Sequence, residues 1–136
     1  MIKNKDNYLY SEITDLIIKA YYQVYNKLGF GFLEKVCENA MLIELRRLNL
    51  KCEKQRHIIV HYDGFDVGDY FADIIVDDCV IIELKAAKEI CPEHEAQLVN
   101  YLKATDIEVG LLLNFGKEPR FKRRVLTSEY KNLKKS

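Results

Sequence analysis

Two acidic residues interrupt the most apolar stretches of this 136-residue chain. Asp73 lies in the run FADIIV and Glu83 in the run CVIIELKA, where a buried strand normally carries valine, isoleucine or leucine. An ionised carboxylate in such surroundings costs several kcal/mol unless something compensates its charge. For two converging acids the commonest compensation is a divalent metal ion. The pattern Asp73…Glu83-Leu84-Lys85 therefore predicts metal-assisted hydrolysis of phosphodiester bonds.

The two acids serve one site only if their side chains lie on the same face of the sheet. Residues two apart on a strand share a face, so Glu83 and Lys85 point the same way. A two-residue turn between the strands would pair Asp73 with Ile82 and turn Glu83 to the opposite face. A common site therefore requires a three-residue or otherwise odd-length connection, or a bulge.

The chemistry of such a site follows from its donor atoms. Because Mg²⁺ prefers oxygen ligands, the predicted set is Asp73, Glu83 and the backbone carbonyl of Leu84, with Mg²⁺ or Mn²⁺ as the ion. The ion would polarise the scissile phosphate and activate a bound water. Lys85 would orient or deprotonate that water, or neutralise developing charge. The spacing alone is weak evidence for such a site, because charges two apart are common on half-exposed strands. The apolar surroundings of these residues strengthen the evidence.

Three helical residues are further candidates for this site. Gln97 and Tyr101 are four apart on a predicted helix and therefore lie one above the other. They could hold a phosphate or a ligating carboxylate, although Tyr101 fits a core position equally well. Glu34 begins another predicted helix, where an acid is also favoured by the positive end of the helix dipole.

Hydrophobic periodicity predicts the element order α, α, β, β, β, α, β. The predicted elements are a helix from an N-cap at Ser11 to Gly29, a helix from about Phe32 to Asn49, strands over 52–62, 65–76 and 79–84 with a hairpin turn at Asp63-Gly64, a helix from Pro92 to about Ala104, and a strand over 107–115. The remainder is predicted to add a short strand or helix. The whole is an α/β (α+β) fold in one domain, 1–136, with 1–10 and 128–136 as frayed ends.

Charge is balanced overall but uneven along the chain. The 21 basic residues equal the 21 acidic ones, which argues against a generic cationic nucleic-acid binder. From Lys117 onward, however, eight residues are basic and two acidic. Arg120, Lys122, Arg123 and Arg124 are therefore candidate phosphate contacts, with a solvated C-terminal end as the equal alternative.

Cysteine usage and hydropathy exclude other classes of protein. The four cysteines form no C-x-x-C pair and the three histidines are scattered, so free buried thiols are favoured over a zinc site. No apolar run reaches the roughly 20 residues of a membrane span. The polar beginning of the sequence lacks a signal peptide's apolar region, so we expect a cytoplasmic protein with no membrane partner.

Three ordered stretches resemble a known family. LGFGFLEKVCENAMLIELRRLNL, ADIIVDDCVIIELKA and HEAQLVNYLKATDIEVGLLLNFG are together similar to the GxxExxY protein family of the PD-(D/E)XK nuclease superfamily, over about residues 12 to 126. The resemblance implies a restriction-endonuclease-like core, a mixed central sheet flanked by helices. It places Asp73, Glu83 and Lys85 at the metal-binding and catalytic positions, and Gln97 with Tyr101 in the helix motif beside them.

The motif that names the family is matched in part. Gly31 matches its glycine, and Glu34 matches its acid, a carboxylate that related nucleases use to bind metal directly or through water. Cys37 replaces its tyrosine, so the resemblance implies no role for that hydroxyl. Ala72 replaces the signature proline, and Phe71 stands where a basic residue is expected in the family. None of these departures affects the predicted metal ligands or the lysine.

The predicted function is that of a metal-dependent nuclease acting on DNA. Since the net charge is zero, a homodimer or a partner protein is expected to supply further DNA contacts. The alternative is a catalytically silent module that keeps the fold and binds nucleic acid or a protein partner. RNA is a third possible substrate, although no RNA-reading motif is present.

Overall fold

The computed structural model describes residues 10–135, which form four helices around one five-stranded sheet. The elements are α1 (Ser11–Leu28), α2 (Glu34–Arg47), β1 (Cys52–Tyr62), β2 (Phe65–Val76), β3 (Val80–Lys85), α3 (Pro92–Lys103), β4 (Val109–Phe115), β5 (Pro119–Val125) and α4 (Ser128–Lys135).

The sheet has the order β1-β2-β3-β4-β5 and mixes both strand directions. β3 and β4 are parallel and are joined through α3, whereas each other neighbouring pair is antiparallel. The central strands VIIELK and VGLLLNF are almost entirely buried, as expected for strands covered on both faces. The mixed sheet with flanking helices confirms the predicted α/β, restriction-endonuclease-like architecture.

Two apolar layers hold the helices on opposite faces of the sheet. Helices α1 and α2 pack Tyr21 and Met41 into the larger cluster, which includes Ile82 of β3. Helix α3 packs Leu98 into the smaller cluster on the other face. A Cβ atom at Gly110 would lie 2.6 Å from Leu98 Cδ1, so the glycine allows α3 to lie close against β4.

Several predicted boundaries change in the structure. Ser11 is not the N-cap of α1, because Tyr10 occupies that position with φ of +53° and no side-chain cap. Helix α2 is shorter than predicted, since the loop before it extends to Leu33. The hairpin turn at Asp63-Gly64 is confirmed, with positive φ at both residues.

The C-terminal segment is ordered where fraying was expected. After β5, residues Ser128–Lys135 form α4. Its Lys131 is 8 % exposed, and its ammonium donates to the carbonyl oxygens of Thr105 at 2.9 Å and Ile107 at 2.6 Å. These bonds tie α4 to the segment between α3 and β4. The expected fraying of residues 1–9 and 136 concerns residues outside those described.

All four cysteines are free, as predicted. Only Cys37 is buried, whereas Cys52, Cys79 and Cys91 are half-buried. Within residues 10–135, no helix combines the length and the apolar character needed to cross a membrane.

Candidate active site

The connection between β2 and β3 has the odd length that a shared site requires. Three residues, 77–79, join the strands, and the ladder pairs Val76 with Val80 and Ile74 with Ile82. The same register sets Asp73 opposite Glu83, on one face of the sheet. Two aspartates in the turn adopt positive φ, a conformation that aspartate tolerates better than most residues.

At Asp73 and Glu83, hydrogen bonds from backbone N–H groups to side chains take the place of the backbone-to-backbone bonds between β2 and β3. The backbone N–H of Asp73 donates to Glu83 Oε2 at 2.8 Å, and the N–H of Leu84 donates to Asp73 Oδ2 at 2.8 Å. The N–H and C=O of one strand residue point to the same side, so the Leu84 carbonyl also faces β2. The two carboxylates and this carbonyl thus converge between the diverging strands.

Burial and nearby negative charges disfavour the charged forms of both acids. Glu83 is 3 % exposed, and its burial, followed by the negative charge of Asp73, raises its pKa to about 8. Burial is also the main cause of the raised pKa of Asp73, and the negative charges of Glu38 and Glu34 add to it. The Leu84 N–H opposes this shift only in part. If both acids were ionised, the site would therefore carry more negative charge than the protein compensates.

Lys85 lies on the same face and is positioned by α3. Its Nζ donates to Gln97 Oε1 at 3.1 Å, and Gln97 Nε2 donates to the Tyr101 hydroxyl oxygen at 3.0 Å. Burial raises the pKa of Tyr101, and the negative charge of Glu83 raises it further. The structure thus brings together the strand acids, the lysine and both helix residues that the sequence predicted. Tyr101 is a core residue as well, because it packs in the smaller apolar cluster.

Helix α2 brings two more acids near the end of β3. Glu34 Oε2 accepts the backbone N–H of Ala86 at 3.2 Å. Glu38 is 4 % exposed and accepts Gln55 Nε2 at 2.8 Å and Lys35 Nζ at 3.1 Å. The sequence interpretation missed Glu38, although its position four residues after Glu34 puts both acids on one helix face.

The predicted ligand set is supported only in part by the geometry. Nowhere in residues 10–135 do three His, Cys, Asp or Glu side chains form a group that could hold a metal ion. Glu34 therefore does not complete a three-carboxylate site with Asp73 and Glu83. The residues that do fit a divalent ion are the two facing carboxylates of raised pKa and the Leu84 carbonyl, all hard oxygen donors.

Asn114 on β4 fixes the chain immediately after Lys85, a role that the sequence interpretation missed. Its Oδ1 accepts the N–H of Ala87 and its Nδ2 donates to the Ala87 carbonyl, each at 3.0 Å. A Cβ at Gly116 would lie 2.3 Å from that carbonyl oxygen, so the loop and β4 are in close contact. The available signal was a polar residue within the apolar run GLLLNF.

Strand β5 divides the four predicted phosphate contacts between two faces. Lys122 pairs with Leu112 and Arg120 with Asn114, the residues that pair with Glu83 and Lys85 on the other side of β4. Arg120, Lys122 and Arg124 therefore lie on the face of the acids. Lys122 is two strands from Glu83, about 10 Å away. Arg123 lies on the opposite face, which corrects its grouping with the other three.

Comparisons with known proteins agree with this architecture. No curated protein matches the sequence significantly. The crystal structure of SSO0001 has a TM-score of 0.52 and 19 % identity over 95 % of this chain, a likeness in fold alone. The chain spans 66 % of that protein's length, slightly less than two thirds. A family model described as the PD-(D/E)XK nuclease superfamily matches residues 11–125. The chain therefore belongs to the PD-(D/E)XK nuclease superfamily.

Proposed function

We propose that the protein is a metal-dependent nuclease that hydrolyses DNA phosphodiester bonds. The observation that carries this proposal is the pairing of Asp73 with Glu83, each carboxylate accepting a backbone N–H of the opposite strand, with Lys85 on the same face. Membership of the superfamily suggests nuclease-type activity, and nucleases of this superfamily typically use divalent metals. The site geometry and the family thus point to one reaction class.

Asp73, Glu83 and the Leu84 carbonyl are the residues that would hold Mg²⁺ or Mn²⁺. Water would fill the remaining positions, as is common for Mg²⁺, and Glu34 would act through such a water. When bound, the ion supplies Lewis-acid polarisation of the scissile phosphate and lowers the pKa of a water molecule. Glu83, whose pKa is raised by burial and then by the negative charge of Asp73, would give up its proton on becoming a ligand.

Lys85 would orient the attacking water and neutralise charge that develops on the phosphate. Its ammonium is held by Gln97, and Gln97 is held by the Tyr101 oxygen, so the lysine is fixed before substrate arrives. Because Gln97 donates to the Tyr101 oxygen, the hydroxyl hydrogen of Tyr101 remains available to the substrate phosphate. Fixing the cation in advance removes the cost of ordering it during the reaction.

The exposed cations of β5 would bind flanking phosphates of the DNA. Across the sheet, Lys122 lies in the same row of paired residues as Glu83, and Arg120 lies in the same row as Lys85. Arg120 and Arg124 contribute less than Lys122, since the guanidinium of Arg120 pairs with Glu118 and that of Arg124 lies 3.9 Å from a carboxylate oxygen of Glu95. A chain whose 21 basic residues are balanced by 21 acidic ones binds DNA weakly by itself, so we propose that a homodimer or a partner protein adds contacts.

Three broader assignments are part of the same proposal. Gly31 and the Glu34 carboxylate bonded beside the site support membership of the GxxExxY family. We also propose that residues 1–136 act as one domain and that the protein works in the cytoplasm.

One structural feature favours a second candidate, a catalytically silent nucleic-acid-binding module. Each strand carboxylate is already hydrogen-bonded to a backbone N–H, and no third acid joins the pair in the described part of the chain. A module of this kind would bind DNA with or without a divalent metal. It would cleave none.

A nuclease assay with Mg²⁺ or Mn²⁺ separates the two candidates. Labelled single-stranded and duplex DNA are incubated with wild type, Lys85→Ala, Asp73→Asn and the control Lys19→Ala, an exposed lysine on α1. We expect the two site variants to lose at least about 100-fold in rate, because charge stabilisation and ion binding are removed, and the control to match wild type. Equal traces of cleavage in all four proteins would indicate contamination and favour the silent module.

A further inference from the structure

An open groove lies between the β1–β2 hairpin and α3 and adjoins the candidate site. Its volume is about 1010 Å³, at the upper end of the range for ligand pockets. Tyr70 and Gly68 line it on the hairpin side, and Gln97, Asn100 and Tyr101 line it on the helix side. Two of these residues, Gln97 and Tyr101, are the ones that position Lys85. Whatever occupies the groove therefore lies next to the reacting phosphate.

We propose that the groove holds an unpaired nucleobase of the DNA strand, stacked on the ring of Tyr70. This inference rests on the nuclease function proposed above and names its substrate as DNA with a single-stranded segment at the cleavage position.

The shape of the groove wall supports an aromatic occupant. Tyr70 is 47 % exposed, although it lies beside the buried Tyr101 with ring centroids 5.7 Å apart and planes tilted by 49°. The tilted contact fixes Tyr70 from one side and leaves much of its ring surface uncovered. A Cβ at Gly68 would lie 3.0 Å from Tyr70 Cε2, so the glycine gives the ring its room. A fixed and exposed aromatic ring is the usual platform for a base.

Charge in the groove favours a base over the phosphate backbone. The lining residues include one lysine, Lys103, one acid, Glu93, and two histidines, His61 and His94, together with amide, hydroxyl and apolar groups. Phosphates would instead meet Lys85 and the cations of β5. In a duplex the ring faces of the bases are covered by their neighbours, so a groove that offers ring stacking selects unpaired bases.

Binding without cleavage tests the inference directly. A short single strand carrying the fluorescent base 2-aminopurine, and its matched duplex, are titrated with protein in EDTA, with anisotropy and base fluorescence as readouts. We expect tighter binding of the single strand and quenching of the fluorescent base. Tyr70→Ala should weaken single-strand binding about tenfold and remove the quenching, whereas Tyr70→Phe should retain both.

Tyr62→Ala is the matched control, because Tyr62 is an exposed tyrosine of the same hairpin that does not line the groove. It should bind as wild type does. Equal affinity of wild type for strand and duplex, unchanged binding by Tyr70→Ala, or an equal loss in Tyr62→Ala would overturn the groove assignment. These titrations need no hydrolysis. Base binding in the groove can therefore be refuted while Lys85→Ala still abolishes cleavage, and it can be supported even if the protein cleaves no DNA.

Discussion

Two buried polar side chains on neighbouring strands of the sheet have different surroundings. Asn114 on β4 is 1 % exposed and Glu83 on β3 is 3 % exposed. Both oxygen and nitrogen of the Asn114 amide are bonded to the backbone of Ala87. The Glu83 carboxylate accepts one hydrogen bond, from the backbone N–H of Asp73, and it faces the carboxylate of that second acid across the strands. The amide is therefore satisfied by the protein alone, whereas the acid pair, once fully ionised, needs an outside cation to balance its charge.

Replacing Asn114 should produce the larger loss of stability. Asn114→Leu removes two hydrogen bonds and leaves the partly buried N–H and C=O of Ala87 without these partners, so the free energy of unfolding should fall by about 2–4 kcal/mol. Urea denaturation measures the change, with Asn26→Leu on the exposed side of α1 as the control. A loss below about 1 kcal/mol would mean that the amide does not hold the Ala87 backbone in place.

Replacing Glu83 should change the free energy of unfolding in the opposite direction, and by a smaller amount. Glutamate ionises near pH 4.5 when unfolded, whereas the folded pKa is about 8, so the folded state holds the proton more firmly between these values. The stability of wild type without metal should therefore fall as pH rises from about 4.5 to 8. Glu83→Gln should weaken this dependence, and above about pH 8 it should raise the free energy of unfolding by about 1–3 kcal/mol.

Urea denaturation across this pH range checks the result, and Glu12→Gln on the exposed surface of α1 should follow wild type at every pH. If Glu83→Gln is instead less stable than wild type throughout, the carboxylate is a structural hydrogen-bond acceptor like the Asn114 amide. The distinction drawn between the two side chains would then disappear.

The sequence located the acid pair because an ionised residue in an apolar strand violates the burial pattern. The same rule applies to Asn114, a polar residue in the apolar run GLLLNF, but the sequence interpretation did not apply it there. The turn between β2 and β3 also illustrates the limit of sequence. From sequence we could state only that the connection needs an odd number of residues. The structure shows that three residues connect the strands, in the register that sets Asp73 opposite Glu83.

Residues that depend on tertiary contacts could not be located in advance. Glu38 on α2 is buried where its carboxylate accepts a hydrogen bond from Gln55 on β1, a contact that helix spacing alone does not predict. The four cations of β5 form one charge run in sequence, yet strand alternation places Arg123 on the other face. The C-terminal helix α4 is too polar to be recognised by itself, and Lys131 attaches it to carbonyls of a distant loop.

Whether Asp73 and Glu83 hold a divalent cation can be measured by calorimetric titration of the protein with Mn²⁺ near neutral pH, in two buffers of different ionisation enthalpy. Wild type should bind about one ion and release protons, because Glu83 must lose its proton to become a ligand. Glu83→Gln and Asp73→Asn should bind at least tenfold more weakly, with less proton release. Absence of binding to wild type, or equal binding by all three proteins, would contradict the account.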